Sequence, residues 1–336
     1  MRRRRLALLF AFFRDIAQVP AKEDDPIAAF NALKGAINRL PGGYVHPSLG
    51  LLTPAPSGAA RGIGFISESD KGDIDNGVLI KVPLSYQMTR ALALDTLTPL
   101  IPPAVLRQLP LDELDDAALL VLLLAHERGV SDSKFSAYLH TLPMDDIGCG
   151  FFQSEAPRII PPDELAHGAR YASRVSNGLS KDYAAYISQD GWPIEWKEHP
   201  SSAMAWSLCV VSSRGTAANI VPGDKNSGAG TRIVPMADFA NHDIKSSGFI
   251  EIVGNERMAN GDIITAQEDG LDVGSFVVRA AWRNGTVKTL QKGDELTVNY
   301  NLPGYGPVDW FLSLGFVAPE LLSSPSANDN SESGEL

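Results

Sequence analysis

Residues 234 to 243 read VPMADFANHD, an apolar run that ends in a carboxylate, an amide and an imidazole: Asp238, Asn241 and His242. Side chains of these types serve metal ligation, a nucleophilic triad, or the grip on a polar small molecule. A zinc site takes three or four ligands, and Asp238 and His242 have no HExxH or paired-cysteine companion. His126 and Glu127 are adjacent in AHERG, with no second histidine on the same helical face. No G-x-S-x-G elbow presents a serine, and neither a GxxxxGK[ST] loop nor GxGxxG occurs. On a strand, Asn241 and His242 would point to opposite sides, which also disfavours one shared metal. No metal is expected. RGIGF, at 61–65, adds two glycines at a strand start, where backbone could approach a ligand closely.

These residues need elements to position them. The stretch IAAFNALKGAINRL, within 26–45, predicts a helix stopped by Pro41-Gly42-Gly43. Ile63 and Phe65, then Val78, Ile80 and Val82, alternate as a pair of short strands joined by a turn carrying Gly72 and Gly77. DELDDAALLVLLLAHERG, from Asp112, predicts a core helix with acids in its first turn. SKFSAYLHTLP, 133–143, predicts another, and SSAMAWSLCVVSSR, 201–214, a third with Met204, Leu208 and Val211 on one face. Asn284-Gly285 marks a hairpin, and KGDELTVNY a turn leading into a strand with Leu296, Val298 and Tyr300 on one face. Helices thus occupy the middle of the chain, with strands on either side.

Composition bounds the function. The chain has 336 residues, 44% apolar and 21% charged, which suits one large or two ordinary globular domains. Its net charge of −11 gives no general attraction to phosphate backbones, so no nucleic-acid partner is expected. Cys149 and Cys209 are the only cysteines and are expected to be reduced thiols. MRRRRLALLFAFF is basic, then apolar from Leu6 to Phe13, too short for a membrane-spanning helix. It fits a signal h-region, an organelle presequence or an amphipathic first helix, so the compartment stays open between cytoplasm and an organelle such as the plastid. Residues 323–336 are polar and proline-broken, expected as a disordered tail.

In order along the chain stand RGIGF, VLIKVPLSYQMT, FSAYLHTLP, SSRG, VPMADFANHD, KGDELTVNY and LSLGFV. This series resembles the SET-domain methyltransferases, specifically the branch with the Rubisco large-subunit lysine methyltransferase and the actin-histidine methyltransferase. The resemblance covers roughly residues 26 to 320. It implies an α+β SET fold of small sheets with a C-terminal pseudoknot, over 26–322, carrying a mostly helical insertion at about 91–230. It implies S-adenosylmethionine as cofactor, a protein as substrate partner, and residues 1–25 as an N-terminal extension. By motif position, Arg61, Gly62, Ile63, Arg214, Asn241, His242 and Phe316 are implied to hold the cofactor. Asp238 and Ser213 are implied at the substrate channel, and Tyr300 as the catalytic tyrosine. Each has a plainer reading too: Tyr300 as a half-buried strand tyrosine, Asp238 as a turn acid, Arg214 as a helix C-terminal charge. Leu314 stands where the family often has an aromatic, and Tyr305 is a candidate to fill that space.

Methyl transfer suits this inventory, because the cofactor carries the reactive group and the protein supplies orientation and electrostatics. The expected activity is methylation of lysine in a non-histone protein, with histidine as a lesser alternative. A SET-derived binding module without turnover is the reading from another class. Oligomeric state is not legible.

Overall fold

In the computed structural model the described residues are 25–67, 77–143, 149–153, 156–216, 230–246, 248–253, 274–280, 291–300, 302 and 304–322. The N-terminal extension before Asp25, Gly72, the Asn284-Gly285 hairpin turn and the tail at 323–336 lie outside them.

Helix α1 (Pro26–Asn38) starts where the Asp25 carboxylate caps the amide of Ile27, with proline at the first helical position. Its buried face is Phe30, Leu33 and Ile37. Four strands come next: β1 (Tyr44–Val45), β2 (Leu49–Leu52), β3 (Gly62–Phe65) and β4 (Val78–Val82). Between β4 and the next strand the regular elements are helical: α2 (Arg90–Leu97), α3 (Pro103–Leu106), α4 (Asp116–Gly129), α5 (Ser136–Leu139), α6 (Pro162–Tyr183), α7 (Ile194–Glu198) and α8 (Pro200–Arg214). Then come β5 (Gly215–Thr216), β6 (Arg232–Ile233), β7 (Asn241–His242), β8 (Phe249–Val253), β9 (Ser275–Arg279), β10 (Thr297–Val298), α9 (Pro307–Leu314) and α10 (Pro319–Leu322).

Helices α4 and α8 form the centre of the helical block. Leu119 through Ala125 are all buried, as are Trp206 through Val211, so neither helix keeps one apolar stripe. The face expected at Met204, Leu208 and Val211 is therefore only part of what α8 buries. Helix α6 lies outside the expected helices, although Pro162 at its first position and Asp163 and Glu164 in its first turn are start signals. It buries Gly168, Ala172, Ser176, Leu179 and Tyr183, and three of those are too small or polar to mark a face. The 133–143 helix is a single turn, α5.

Strands β1, β4, β9 and β8 make one antiparallel sheet in that order, and β2–β3 and β5–β6 are separate antiparallel pairs. The expected pairing of the two short strands with each other does not occur. β3 pairs with β2, while β4 lies between β1 and β9. Alternation identifies a strand but carries no information about its partner. The other side of β3 meets the turn before β10, with Phe65 N–H donating to Asp294 O and Leu296 N–H to Ile63 O. A Cβ on Gly64 would collide with Asp294 O and Leu52, so this glycine admits the chain's own backbone. β10 then runs parallel to β7, Thr297 opposite Asn241 and Val298 opposite His242. No short connection can join parallel neighbours, so the last strand must return from far along the chain.

The two cysteines are not free. Cys149 and Cys209 form a disulfide with Cα atoms 5.3 Å apart, tying the turn before α6 to α8. Their separation of 60 positions hid this, because isolated cysteines announce no framework.

Phe30 ties α1 to the turn between β6 and β7. It is fully buried and packs edge-on against Phe239, 5.5 Å between ring centres. Phe30→Ala is expected to cost about 3–5 kcal/mol in urea unfolding, and to loosen the turn that Phe239 anchors; a cost within that of a surface substitution would contradict this placement.

Candidate active site

Three distant segments meet at Gly62. The side-chain amide of Asn241 donates to Arg61 O at 2.9 Å and to Glu295 Oε1 at 2.7 Å. A Cβ on Gly62 would stand 2.6 Å from Glu295 Oε1 and 2.8 Å from Asn241 Nδ2. Glycine is thus required here by close packing rather than by a turn. Glu295 also accepts from the backbone N–H and the hydroxyl of Ser57, which brings the loop after β2 over the same place.

Beside this hub lies a buried charge cluster. The Arg214 guanidinium, at the end of α8, donates to Asp238 Oδ2 at 2.8 Å; the side chains are 16% and 2% exposed. Tyr138 of α5, fully buried, donates to the same oxygen at 2.8 Å. Asp238 Oδ1 and Arg214 Nε are buried and have no hydrogen-bond partner among the described residues. Buried polar atoms are usually paired, so these two, side by side in one cluster, are available to a ligand. Met236, two residues before Asp238, has φ 77° and is wholly buried. It is the one non-glycine with positive φ among the described residues. Such strain costs on the order of 1–3 kcal/mol and persists where packing over-determines it. The turn it starts, Ala237–Phe239, presents Asp238 toward Arg214, whose guanidinium also lies 5.5 Å from the Phe239 ring centre.

Burial and charge set the titration of these groups. Burial pulls Arg214 down, but the Asp238 charge and hydrogen bond outweigh it and hold the guanidinium up. Burial lowers Arg61, and the positive charge of Arg214 adds to that. Its guanidinium donates to Thr141 O at 3.0 Å. Burial pushes the Tyr138 phenol well up, with Asp238 in support.

Tyr300 sits at the junction of hub and cluster. Its hydroxyl donates to Ala240 O at 3.1 Å, and its backbone N–H donates to His242 Nδ1 at 3.2 Å. With Nδ1 accepting, the His242 proton resides on Nε2, which donates to Glu320 Oε1 at 2.8 Å. Burial would raise the Glu320 carboxyl, but that bond, a backbone hydrogen bond and the nearby imidazole together lower it. Trp310 of α9 stacks on Tyr300 with planes 2° apart and centroids 6.1 Å apart, and packs on His242 at 4.9 Å. The Tyr300 phenol is pushed up to about 12 by burial, with Asp238 and Glu295 adding to the rise and Arg214 opposing it.

Of the residues the sequence singled out, Arg61, Gly62, Asn241, His242, Asp238, Arg214 and Tyr300 come together. Ile63 does so only through backbone: its side chain is fully buried in the core and its carbonyl accepts from Leu296. The Ser213 hydroxyl donates to Cys209 O within its own helix. Phe316 is 39% exposed and touches the outer edge of Trp310 at 5.4 Å. The aromatic stacked on Tyr300 is Trp310, one helical turn before Leu314, while Tyr305 is exposed. Sequence reasoning does not find Tyr138, Glu295, Trp310 or Glu320. Glu295 lies inside the GDEL stretch, yet nothing in its spacing distinguishes it from a turn acid.

No protein-family model matches the chain, and none of the curated proteins matches it. Solved structures do match in shape. The SET domain of LSMT bound to lysine and AdoHcy superposes with TM-score 0.55 at 16% identity, covering 87% of this chain and 57% of that one. Rubisco LSMT bound to AdoMet gives 0.54 at 16%, with the same coverage. Rubisco LSMT bound to sinefungin and monomethyllysine gives 0.53 at 16%, covering 87% and 56%. The chain therefore spans little more than half the length of these neighbours. At this identity the likeness is one of fold, and the fold is that of SET domains.

Two measurements check the electrostatics. Arg214→Met strands the Asp238 carboxylate and is expected to cost about 3–5 kcal/mol, with much of the loss recovered in Arg214→Met/Asp238→Asn; a double variant no better than the single one would deny the coupling. In ultraviolet titration, the difference between wild type and Tyr300→Phe is expected to show one phenol ionising at about 12. Because the folded value is raised, the stability Tyr300 contributes is intact below the ordinary tyrosine value of about 10, and falls as pH climbs toward 12. A difference signal at the ordinary value would contradict its burial.

Proposed function

We propose that this protein is an S-adenosylmethionine-dependent methyltransferase of the SET class that methylates a lysine side chain of a non-histone protein. One observation carries the reading. Arg61–Gly62, Asn241, Tyr300 and the Arg214–Asp238 pair, spread over the chain, close on one another in a SET fold and leave two buried polar atoms of the cluster without a partner among the described residues. Three neighbours are solved with AdoMet, AdoHcy or sinefungin, and two of them with lysine or monomethyllysine.

The residues fit such a cofactor. Its amino-acid end carries a carboxylate and an ammonium, and the cluster offers the guanidinia of Arg61 and Arg214 for the first. The unpartnered Arg214 Nε is a donor suited to a carboxylate oxygen, since guanidinium presents several N–H groups in one plane. When bound, the sulfonium supplies an electrophilic methyl group.

The chain's own residues then hold and screen the acceptor. An amine must arrive without its proton, and the apolar surroundings of Trp310, Phe239 and Tyr300 disfavour the ammonium form. Asp238 does not counteract this strongly, because Arg214 already neutralises it across 2.8 Å. Its Oδ1 remains an acceptor that can orient an incoming N–H. Tyr300 is poorly suited to act as a base: a phenol held at about 12 keeps its proton at neutral pH. With that proton committed to Ala240 O, the hydroxyl lone pairs remain as acceptors for partial positive charge. Positioning, not proton abstraction, is the work the site can do.

The test is transfer of methyl-labelled S-adenosylmethionine to lysate proteins, followed by amino-acid analysis of the labelled product. Methyl-lysine is expected, and Tyr300→Phe is expected to lower transfer on the order of 10²-fold, with cofactor binding retained in calorimetry. Label found on histidine would move the acceptor. Binding without label in any protein would leave the binding-module reading.

A further inference from the structure

The geometry points to Glu295 as the residue that orients the Asn241 amide, so that Asn241 meets the amino-acid end of the cofactor as an acceptor. This rests on the proposed cofactor reading and adds a residue to it. An amide nitrogen has two hydrogens. Asn241 spends one on Arg61 O at 2.9 Å and the other on Glu295 Oε1 at 2.7 Å. Only Oδ1 is left to face a ligand, and it can only accept.

Amide oxygen and nitrogen have nearly the same shape, so packing alone does not choose between the two orientations. Arg61 O and Glu295 Oε1 do choose, because both accept. Glu295 is itself held from the far side by Ser57, whose N–H donates to Oε2 at 2.8 Å and whose hydroxyl donates to Oε1 at 3.0 Å. Its backbone is registered against Gly64 across the pairing with β3. The carboxylate is therefore fixed by two segments and passes that order to a third.

A negative charge behind the acceptor favours a positively charged donor over a neutral one. Of the donors on the cofactor, the ammonium is charged, while the ribose hydroxyls and the adenine amine are not. The carboxylate of the same end has its own candidate donor in the Arg214 Nε, which has no partner among the described residues. Glu295→Gln breaks this arrangement whichever way it turns. If its oxygen faces Asn241, its NH₂ faces the Ser57 N–H, donor against donor; the reverse turn sets two NH₂ groups together.

The experiment compares two probes by calorimetry: S-adenosylhomocysteine, and 5′-methylthioadenosine, which has the nucleoside thioether but no amino-acid end. Glu295→Gln is expected to weaken S-adenosylhomocysteine roughly tenfold and to leave 5′-methylthioadenosine unchanged. Ser57→Ala, which removes one hydrogen bond from an exposed loop, is expected to act in the same direction by about threefold; it carries the test if Glu295→Gln does not melt cooperatively. Equal losses for both probes would reduce Glu295 to a structural brace and overturn the proposal, as would no loss for either. Wild-type protein that binds neither probe would instead sink the cofactor reading, and this inference with it.

Discussion

A carboxylate taken out of water must be neutralised, and much of this site is organised around that requirement at Asp238. Its side chain is 2% exposed, and one oxygen receives both the Arg214 guanidinium and the Tyr138 hydroxyl. Arg214 can be there only because α8 ends at that point, and Tyr138 only because α5 is pressed against the turn after β6. The strained backbone at Met236 aims the acid, and Phe239 locks the turn against α1. The helical block and the strands are thus joined by a charge that neither could bury alone.

Close backbone approach is the second condition. Gly62 and Gly64 lie on one side of β3, and each faces a group that a side chain would displace: Glu295 and Asn241 at Gly62, the Asp294 carbonyl at Gly64. Two glycines two positions apart thereby let the turn before β10 pair with β3. That pairing sets where β10 runs, and β10 sets Tyr300 over His242 through its parallel register with β7. Trp310 and Glu320 cover His242 from α9 and α10, so these two helices close over β7.

Much of this is legible in the sequence, and the failures are instructive. The helices at Asp116–Gly129 and Pro200–Arg214 have dense apolar content, the first capped by Asp115 and the second opening on a proline. Helix α6 carries start signals in Pro162, Asp163 and Glu164, but its buried positions include Gly168, Ala172 and Ser176, so large apolar residues alone do not mark its inner face. The partner of β3, the disulfide between Cys149 and Cys209, and the aromatic stacked on Tyr300 all elude a sequence reading for one reason. Each is a choice of partner, whether the neighbouring strand, a nearby ring or a cysteine 60 positions away, and local pattern specifies an element without saying what it packs against.

The order of short motifs along the chain was enough to place it among SET folds and to name Gly62, Arg214, Asp238, Asn241, His242 and Tyr300, since residue type and position survive in a string. What each does with its hydrogen bonds was settled only by folding. Whether the Asn241 amide offers a donor or an acceptor depends on Glu295, 54 positions away, and whether Asp238 is a turn acid or a buried ion depends on Tyr138, 100 positions away. Residue identity is written in one dimension, but polarity and burial belong to neighbours that three dimensions supply.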